Sequence, residues 1–478
     1  AYFLGQKELF KDLVIEHLEE AEKEKREIWR EYPVFYLDFN VGKYDSIEAL
    51  NINLNIFLSD LEKDYGFEEK EENFAKRFEG LLKRAYEKTG KQVVFLVDEY
   101  DKPLLQTMGK NEALNEEYRS TLKAFYSVLK SSDQYVRFAF LTGVTKFSKV
   151  SIFSDLNNLR DISMEEAYGT VCGITQTELE HTFAPEIKVL EEKYSSTHEA
   201  MLAKLKAKYD GYLFHPDSEK VYNPFSIINA FAKKELKNYW FATGTPTFLV
   251  DYLKEAYYNI PNLDGKVELN ESGLELYRAA AKEPLPILFQ AGYLTIKDYS
   301  AEARLYRLGF PNDEVRYGFL ENLIPAYTGL RLSDTGVSIW EFTKAVRAGD
   351  VDDFMERMKA IISGIPYDSL SKKDAKLREQ NYQAAVYLVF ALMGQFVETE
   401  VHCATGRADC IVQTETAVYI FEFKLGSKGS AEDAIAQIKE KNYAGKYAAC
   451  GKPITLIGAS FDGRKRTIKN WKTAAYYV

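Results

Sequence analysis

The sequence has few cysteines, and none of them is spaced as a structural pair. Only four occur in 478 residues, namely Cys172, Cys403, Cys410 and Cys450, and no two form a C-x-x-C motif. A disulfide framework is therefore not expected, and a reducing, cytoplasmic compartment fits best. A zinc site formed by His402, Cys403 and Cys410 stays open as an alternative, although the spacing typical of zinc motifs is lacking.

Long apolar runs and excess positive charge are also lacking. The longest apolar run, AAVYLVFALMGQFV from Ala384, is shorter than the ~20 residues of a membrane-spanning helix, so we interpret it as a core helix. No signal-peptide pattern is found, and no membrane partner is expected. Because the net charge is -10 and the pI about 5.4, binding of nucleic acid must rest on a local patch.

A third absence concerns nucleotide binding. The apolar run Val93–Val97 is followed by Asp98 and Glu99. In P-loop enzymes, a strand that ends in two such acids presents a metal ligand and a water-activating base. No Gly-Lys pair in the chain is followed by Ser or Thr, so the phosphate-binding motif G-x-x-x-x-G-K-[ST] is missing. The chain begins at Ala1 in mid-pattern, and we expect the loop upstream, lost by truncation, proteolysis or disorder. The alternative is that Asp98 and Glu99 merely end a strand and cap a helix.

What is present is an alternation of strands and helices through residues 1–175. Strands that are apolar on both faces, separated by helices, predict a parallel α/β sheet covered on both sides. The predicted strands are PVFYLDF, QVVFLVDEY and VRFAFLTGV, and the predicted helices are EHLEEAEKEKREIWREY, NFAKRFEGLLKRAYEKTGK (ending at Gly90) and NEEYRSTLKAFYSVLKSS. The third strand ends in small polar residues that include Thr142, followed by Lys146.

The rest of the chain divides into three predicted regions. Residues 176–330 read as a helical lid that ends in a winged-helix-like element, with two strands, a loop and a helix from near Asn312. A helical connector follows over 331–365. The last region, 366–478, is predicted to hold a helix (379–394), strands near 397–402 and 408–413, the strand AVYIFEFKL, a helix capped by Ser430 with Asp433, and the strand PITLIGASF.

The strand VYIFEFK carries the most informative pattern. It is apolar on both faces, yet Glu422 and Lys424 lie two residues apart and hence on the same face. Burying such groups costs several kcal/mol unless they are paired or bind a metal. The preceding strand carries Asp409, so Asp409 and Glu422 can jointly hold Mg²⁺ (or Mn²⁺), and Lys424 can orient the attacking water. A structural Glu–Lys salt bridge is the alternative.

An acid on one strand followed by E-x-K on the next is the pattern of the PD-(D/E)xK nuclease superfamily. The resemblance implies that Glu379 is the extra acid that many members add to the metal site. It also implies that Gln437 occupies the position where members often carry a polar residue near the substrate. Arg407, beside Asp409, could contact phosphate. From residue 401 onward twelve Lys and Arg residues stand against seven Asp and Glu residues, so nucleic acid is the expected partner of this region. A solvated basic turn at GRKRTIK explains part of this charge equally well.

Several long segments also resemble an AAA-ATPase-like family that is common in gut anaerobes and is usually fused to a C-terminal nuclease-like domain. They include YPVFYLDFN, VVFLVDEYDKPL, FLTGVTKFSKVSIFSDLNNLRDIS, YGTVCGIT, YDGYLF, VYNPFSIINAF and YWFATGTPTFL. The resemblance implies ATP as a ligand, Asp98 and Glu99 as the acidic (Walker B) motif, Thr142 near the γ-phosphate sensor and Arg160 as an arginine finger. An Arg at position 160 that is only structural is the alternative.

The sequence therefore predicts an α/β protein with a P-loop-type ATPase core that lacks its P-loop, a helical and winged-helix lid, and a restriction-endonuclease-like C-terminal domain. The expected function is that of an ATP-regulated, metal-dependent nuclease acting on DNA or RNA. One alternative is a regulatory or sensor ATPase whose last domain only binds a partner, with Lys424 locked to Glu422. Another is a structural interaction protein with both sites decayed. The sequence leaves the oligomeric state open, although ATPases of this broad type often self-associate.

Overall fold

The structure is a computed structural model that forms two compact units. One unit comprises residues 1–162 and 272–291, and the other comprises 163–271 and 292–478. The residues that the structure describes are 1–108, 110–144, 152–153, 158–242, 247–256, 258–275, 284–365, 375–404, 407–424, 429–462 and 467–476. The domain boundaries expected at residues 175, 330 and 365 stay predictions.

The first unit is built on a parallel sheet of three strands. These are β1 (Val34–Asp38), β2 (Val93–Asp98) and β3 (Val136–Leu141), in the order β1-β2-β3. The register places Asp38 beside Asp98 at the carboxyl ends of the two strands. Since both pairings are parallel, the predicted parallel α/β sheet is confirmed.

Five helices accompany this sheet, and side-chain caps fix two of them. They are α1 (Val14–Glu22), α2 (Ile47–Tyr65), α3 (Phe74–Thr89), α4 (Lys102–Thr107) and α5 (Glu112–Ser131). Asn73 and Asn111 accept hydrogen bonds from the first turns of α3 and α5. Gly90 ends α3 in the left-handed conformation, as predicted. Rings from α2, α3, α5 and β2 form the core between helices and sheet, namely Phe57, Phe78, Phe125 and Phe95.

The first predicted helix, EHLEEAEKEKREIWREY, is wrong beyond its first turns, because α1 ends at Glu22. Glu19 is 3% exposed and accepts hydrogen bonds from Tyr2 Oη at 2.7 Å and from both terminal nitrogens of Arg26 at 2.7 and 2.9 Å. The chain therefore turns after α1 and brings Arg26 back onto the helix. Trp29 follows with a positive φ of 53°, which no helix contains.

The second unit starts with short helices that pack around a core of their own. Residues 272–291, which lie within this stretch of the sequence, belong to the first unit. The helices in chain order are α6 (Gln176–Thr182), α7 (Ala184–Tyr194), α8 (His198–Tyr209), α9 (Pro224–Lys233), α10 (Tyr239–Ala242), α11 (Thr247–Glu255), α12 (Glu271–Glu275) and α13 (Leu285–Gln290). Buried residues of α6 to α9, among them Leu179, Leu190, Leu205 and Phe231, pack together. This agrees with the predicted helical character of the region.

A small antiparallel sheet and a long helix follow, where two strands, a loop and a helix were predicted. The strands β4 (Val267–Leu269), β5 (Thr295–Ser300) and β6 (Leu305–Gly309) lie in the order β4-β6-β5. Asn312 caps α14 (Asp313–Thr328), so the predicted start of this helix is confirmed. Whether the element acts as a winged-helix lid stays a prediction.

The C-terminal part is a mixed sheet of five strands with helices packed on it. Three helices, α15 (Leu332–Ala348), α16 (Val351–Ser363) and α17 (Ala375–Met393), precede the strands β7 (Glu398–Ala404), β8 (Arg407–Gln413), β9 (Val418–Lys424), the helix α18 (Ala431–Glu440), and the strands β10 (Ile454–Asp462) and β11 (Thr467–Tyr476). The sheet order is β11-β10-β9-β8-β7, and only β9 and β10 are parallel.

The long apolar run belongs to α17, where residues 384–393 are all buried, as expected of a core helix. Among the residues that the structure describes, no helix combines the length and apolar character needed to span a bilayer.

Candidate nuclease and nucleotide sites

The central strand of the C-terminal sheet and its neighbour β8 place three ionisable side chains side by side. All seven residues of β9 are buried, and the register of the antiparallel pair sets Glu422 opposite Asp409 and Lys424 opposite Arg407. Directly opposed residues project from the same face of a sheet. The exposed fractions are 0% for Glu422, 6% for Asp409 and 7% for Lys424. The predicted acids and lysine are therefore neighbours in the interior.

Hydrogen bonds join these side chains to the following helix. Lys424 Nζ donates to Glu422 Oε1 at 2.9 Å and also to Gln437 Oε1 on α18. The start of α18 is held by the predicted capping box between Ser430 and Asp433. Gln437 is thus brought to Lys424 by a helix whose first turn is fixed by its own side chains.

Electrostatics make the carboxyl pair a site that attracts a cation or a proton. The pKa of Glu422 is raised to about 8, mainly by burial and also by contact with the Asp409 carboxyl group, while Lys424 opposes the shift. The second carboxylate oxygen of Glu422, Oε2, is buried and has no hydrogen-bond partner among the described residues. The Nε2 of Gln437 is likewise buried and has no hydrogen-bond partner in the part of the chain that the structure describes. Such groups are costly unless something binds to them.

The donor set suits a hard divalent cation, because carboxylate oxygens are the ligands that Mg²⁺ and Mn²⁺ prefer. Two of the predicted ligands, Asp409 and Glu422, are in place. The side chains of Glu379 on α17 and Arg407 on β8 lie outside the described residues. No group of three His, Cys, Asp or Glu side chains suited to a metal occurs within the described ranges. The zinc alternative gains no support there, and the Cys403 side chain lies outside them.

One residue of this site was missed by sequence reasoning. Tyr443 Oη donates a hydrogen bond to Asp409 Oδ2 at 3.0 Å. Tyr443 follows α18, 34 positions after Asp409, and belongs to no motif. The one signal in the sequence is that Gln437 lies six residues before Tyr443, on α18. The turn that follows α18 therefore reaches the same face of the sheet as Gln437.

In the first unit, the carboxyl edge of the parallel sheet gathers Asp98 and Thr142. Thr142 Oγ1 donates to Asp98 Oδ1 at 2.7 Å, and the main chain of Thr142 is bonded to Val97 and Tyr100. Asp38 at the end of β1 is the register partner of Asp98. Sequence reasoning did not single out Asp38. A ligand of a parallel sheet lies at this edge.

Glu99 follows Asp98 in an unusual backbone conformation. Its φ is 55°, a left-handed value that costs energy for a residue other than glycine. Burial raises the pKa of Glu99, and the neighbouring Asp101 and Asp98 raise it further. A carboxyl group with a raised pKa is suited to accept a proton from water. Arg160 is exposed in a segment outside helices and strands, and its role as an arginine finger stays a prediction.

Comparisons with known proteins match the two regions that contain these residues to two families. The family described as predicted AAA-ATPase matches residues 1–153, and the PD-(D/E)XK nuclease superfamily matches residues 377–471. A protein of Azotobacter chroococcum mcd 1, described as "Uncharacterized protein in vnfD 5'region", is 36% identical over 473 residues. That similarity covers 98% of this chain and 86% of the Azotobacter protein. The chain therefore belongs to the family of that protein, and it carries an AAA-ATPase-like domain joined to a C-terminal PD-(D/E)XK nuclease-superfamily domain.

Proposed function

We propose that this protein is an ATP-regulated, metal-dependent nuclease that cleaves phosphodiester bonds of DNA or RNA. The observation that carries the proposal is the buried cluster of Asp409, Glu422 and Lys424, two of which lie on the fully buried strand β9. A bound cation would supply a partner to the Oε2 of Glu422, which is buried and has none among the described residues. The superfamily match over 377–471 covers the same strands.

Each residue of the cluster has a role in this chemistry. Asp409 and Glu422 would hold Mg²⁺ or Mn²⁺, with Glu379 as a third acid. A bound metal polarises the scissile phosphate and lowers the pKa of a water molecule. Lys424 donates hydrogen bonds that orient the attacking water and offset negative charge on the phosphate oxygens. Gln437 and Arg407 would contact the substrate.

The nucleotide part of the proposal rests on Asp98, Glu99 and Thr142. Asp98 would hold Mg²⁺ of Mg-ATP, Glu99 would accept the proton of the attacking water, and Thr142 would sense the γ-phosphate beside Asp98. Arg160 would stabilise charge in the transition state. The same nucleotide would then control access of nucleic acid to the C-terminal cluster through the helices of residues 176–330.

The missing phosphate-binding loop has a place where it would fit. Phe138 and Phe140 on the edge strand β3 are each 42% exposed and stack at 6.1 Å, and Tyr36 on β1 is 54% exposed. Parallel sheets bury both faces. We propose that a strand, a phosphate-binding loop and a helix supplied N-terminal to Ala1 cover these aromatic rings.

The nuclease activity is tested by incubating the protein with Mg²⁺ or Mn²⁺ and labelled plasmid, single-stranded DNA or RNA. We expect cleavage of at least one substrate, and its loss in Glu422→Ala. Glu400→Ala is the matched control, because Glu400 is a glutamate of the same sheet that is paired with Lys446 and Tyr447. Cleavage that persists in Glu422→Ala would show that the cluster is not the active site.

A second function is favoured by the bond between Lys424 and Glu422. In a non-nucleolytic regulatory or sensor ATPase, this bond would be a structural pair and the C-terminal domain would bind a partner. That function predicts no cleavage with either metal, even in a chain extended upstream and supplied with ATP. It also predicts that Mn²⁺ affinity, measured by calorimetry, is the same in the wild type and in Glu422→Gln.

A further inference from the structure

The second unit contains a cavity that belongs to neither of the two sites above. Its volume is about 320 Å³, which is within the range of small-molecule sites. Its walls come from the end of α8, the loop before β4, the strands β5 and β6, and the start of α14. The polar side chains of the wall are Asp264, Lys297, Asn312, Asp313 and Arg316.

Asn312 presents a hydrogen-bond donor that the fold itself does not use. Its Oδ1 accepts the hydrogen bond of Val315 N at 3.1 Å as the cap of α14, which fixes the orientation of the amide. The amide nitrogen Nδ2 is therefore the other end, and it is buried with no partner among the described residues. Asn312 is 8% exposed and lines the cavity. The cap explains one end of this side chain and leaves the NH₂ group for a ligand.

The two cations of the wall also have donors to spare. Lys297 Nζ donates to the carbonyl oxygen of Pro311 at 3.1 Å, which uses one of its three protons. Arg316 Nη2 donates to Asp264 Oδ2 at 2.8 Å, while its Nε is buried without a partner in the described part of the chain. Three donor side chains thus meet at one cavity.

The acidic groups of the wall do not cancel this excess of donors. Asp264 is already engaged by Arg316. Asp313 has two cationic neighbours, Arg316 and Lys208, which oppose the rise of its pKa caused by burial. The wall also includes the first turn of the 16-residue helix α14, whose positive dipole end favours an anion.

We propose that this cavity binds the phosphate group of a small molecule, with Lys297, Asn312 and Arg316 as its donors. A phosphate has several acceptor oxygens and suits a site with more donors than acceptors. The cavity is several times larger than a phosphate group, so it has room for the remainder of a phosphate ester. Free phosphate and a phosphate ester share this chemistry, and the experiment separates them.

The substitution Asn312→Asp separates binding from folding. Asp caps a helix as well as Asn does, so α14 and the thermal stability should be retained. The new carboxylate replaces the NH₂ donor and repels an anion. We expect inorganic phosphate, titrated by calorimetry into the full chain at constant ionic strength, to bind at least about tenfold more weakly to this variant. Lys297→Met, which keeps the length of the side chain, should weaken binding to a similar degree.

Lys424→Met is the control that excludes the nuclease cluster, and it should bind phosphate as the wild type does. Tighter binding of AMP than of inorganic phosphate would identify a phosphate ester as the ligand, and equal binding would identify free phosphate. The proposal is overturned if the wild type binds neither. It is also overturned if Asn312→Asp and Lys297→Met bind like the wild type, or if only Lys424→Met loses binding.

The pH dependence gives an independent readout. The pKa of Lys297 is lowered to about 8, mainly by burial and also by the nearby charge of Lys220, while Asp264 and Asp210 oppose the shift. Sulfate is a suitable probe because it does not titrate in this range. Its affinity should fall as the pH rises through about 8, when Lys297 loses its charge, and this fall should be missing in Lys297→Met. A flat profile in the wild type would contradict the role of Lys297.

Discussion

At the scale of single residues, the main question is why a strand with no exposed residue contains a glutamate and a lysine. An isolated buried charge is costly, and even a good ion pair rarely recovers the whole cost of removing two charges from water. Glu422 is in addition placed against a second acid, Asp409, which raises its pKa rather than stabilising its charge. A sequence under selection for stability alone would have an apolar residue here. The proposed cation site would give the two acids a partner that offsets this cost.

The titration of Glu422 gives the first prediction, for protein kept in a chelator. The folded-state pKa of about 8 lies above the ordinary value of 4.5, so between these values the folded protein holds the proton more tightly than the unfolded chain. Stability due to this group therefore falls as the pH rises, by about 2 kcal/mol between pH 6 and 8. Glu422→Gln cannot titrate, and its thermal unfolding should lack this component.

The measurement compares the melting temperatures of the wild type and Glu422→Gln at several pH values. We expect the wild type to lose several degrees relative to the variant as the pH is raised. A difference between the two proteins that does not change with pH would mean that Glu422 has an ordinary pKa in the folded state.

Tyr443 gives the second prediction. Its hydroxyl group donates to Asp409 Oδ2, and a hydrogen bond to a metal-binding carboxylate fixes the orientation of that ligand. Tyr443→Phe should weaken Mn²⁺ binding about tenfold and lower stability by about 1 kcal/mol. Tyr447→Phe removes a hydroxyl group that is bonded to Glu400, outside the cluster, and should leave Mn²⁺ binding unchanged. Equal loss of Mn²⁺ affinity in both variants would assign a general structural effect to Tyr443.

The sequence predicted part of this site for a physical reason. Alternation along a strand shows that Glu422 and Lys424 share a face, and a preceding strand with Asp409 is recognisable from local pattern. The contact of Tyr443 with Asp409 depends on how a helix packs over a sheet, which no local pattern contains. Asp38 was missed for a similar reason, because its place beside Asp98 is set by strand register across 60 residues.

At the scale of helices and strands, local sequence signals predicted helix ends correctly where nearby residues make the hydrogen bonds of the terminal backbone groups. Gly90, Asn312 and the Ser430 capping box mark helix ends whose hydrogen bonds are made within a few residues. The signals failed where distant residues decide. The helix α1 stops early because Arg26 returns to Glu19, and β11 was not predicted because its pairing with β10 makes a strand of a polar sequence.

The packing of α18 on the sheet gives the third prediction. Gly458 on β10 is the register partner of Glu422, and a Cβ atom there would lie 2.2 Å from the carbonyl oxygen of Ala431 at the start of α18. Gly458→Ala must therefore displace α18 together with Gln437. We expect a loss of about 1–3 kcal/mol in stability and a lower rate of cleavage.

Gly336→Ala is the matched control for that substitution. Gly336 lies inside α15, and a Cβ atom there meets nothing within 4 Å. The same chemical change should stabilise the protein by up to about 1 kcal/mol, because alanine favours the helix. The two melting temperatures should thus move in opposite directions, and a Gly458→Ala protein as stable as the wild type would show that α18 can shift without cost.

At the scale of the whole molecule, the chain carries an AAA-ATPase-like domain and a PD-(D/E)XK nuclease-superfamily domain, and their proposed sites lie in separate sheets. The parallel sheet ends in Asp98, Glu99 and Thr142, and the mixed sheet carries Asp409, Glu422 and Lys424. The Azotobacter relative matches 98% of this chain, so the two sheets and the helices of residues 176–330 occur together in a second protein. Joint occurrence in one polypeptide is compatible with the proposed coupling, in which the state of one site biases the other.

The last prediction tests this coupling in a chain extended upstream to include a phosphate-binding loop. Glu99→Gln removes the group that would accept a proton from water, so ATP should still bind while hydrolysis falls by about a hundredfold or more. The variant would then stay in its ATP-bound state, whereas the wild type reaches its ADP-bound state once its ATP is consumed. The rates of nucleic-acid cleavage by the two proteins should then differ. Glu422→Ala should show the reverse pattern, with hydrolysis retained and cleavage lost. If Glu99→Gln cleaves at the same rate with ATP, with ADP and without nucleotide, regulation by ATP is wrong and the nuclease assignment stands, because the C-terminal cluster would then act independently of the first sheet.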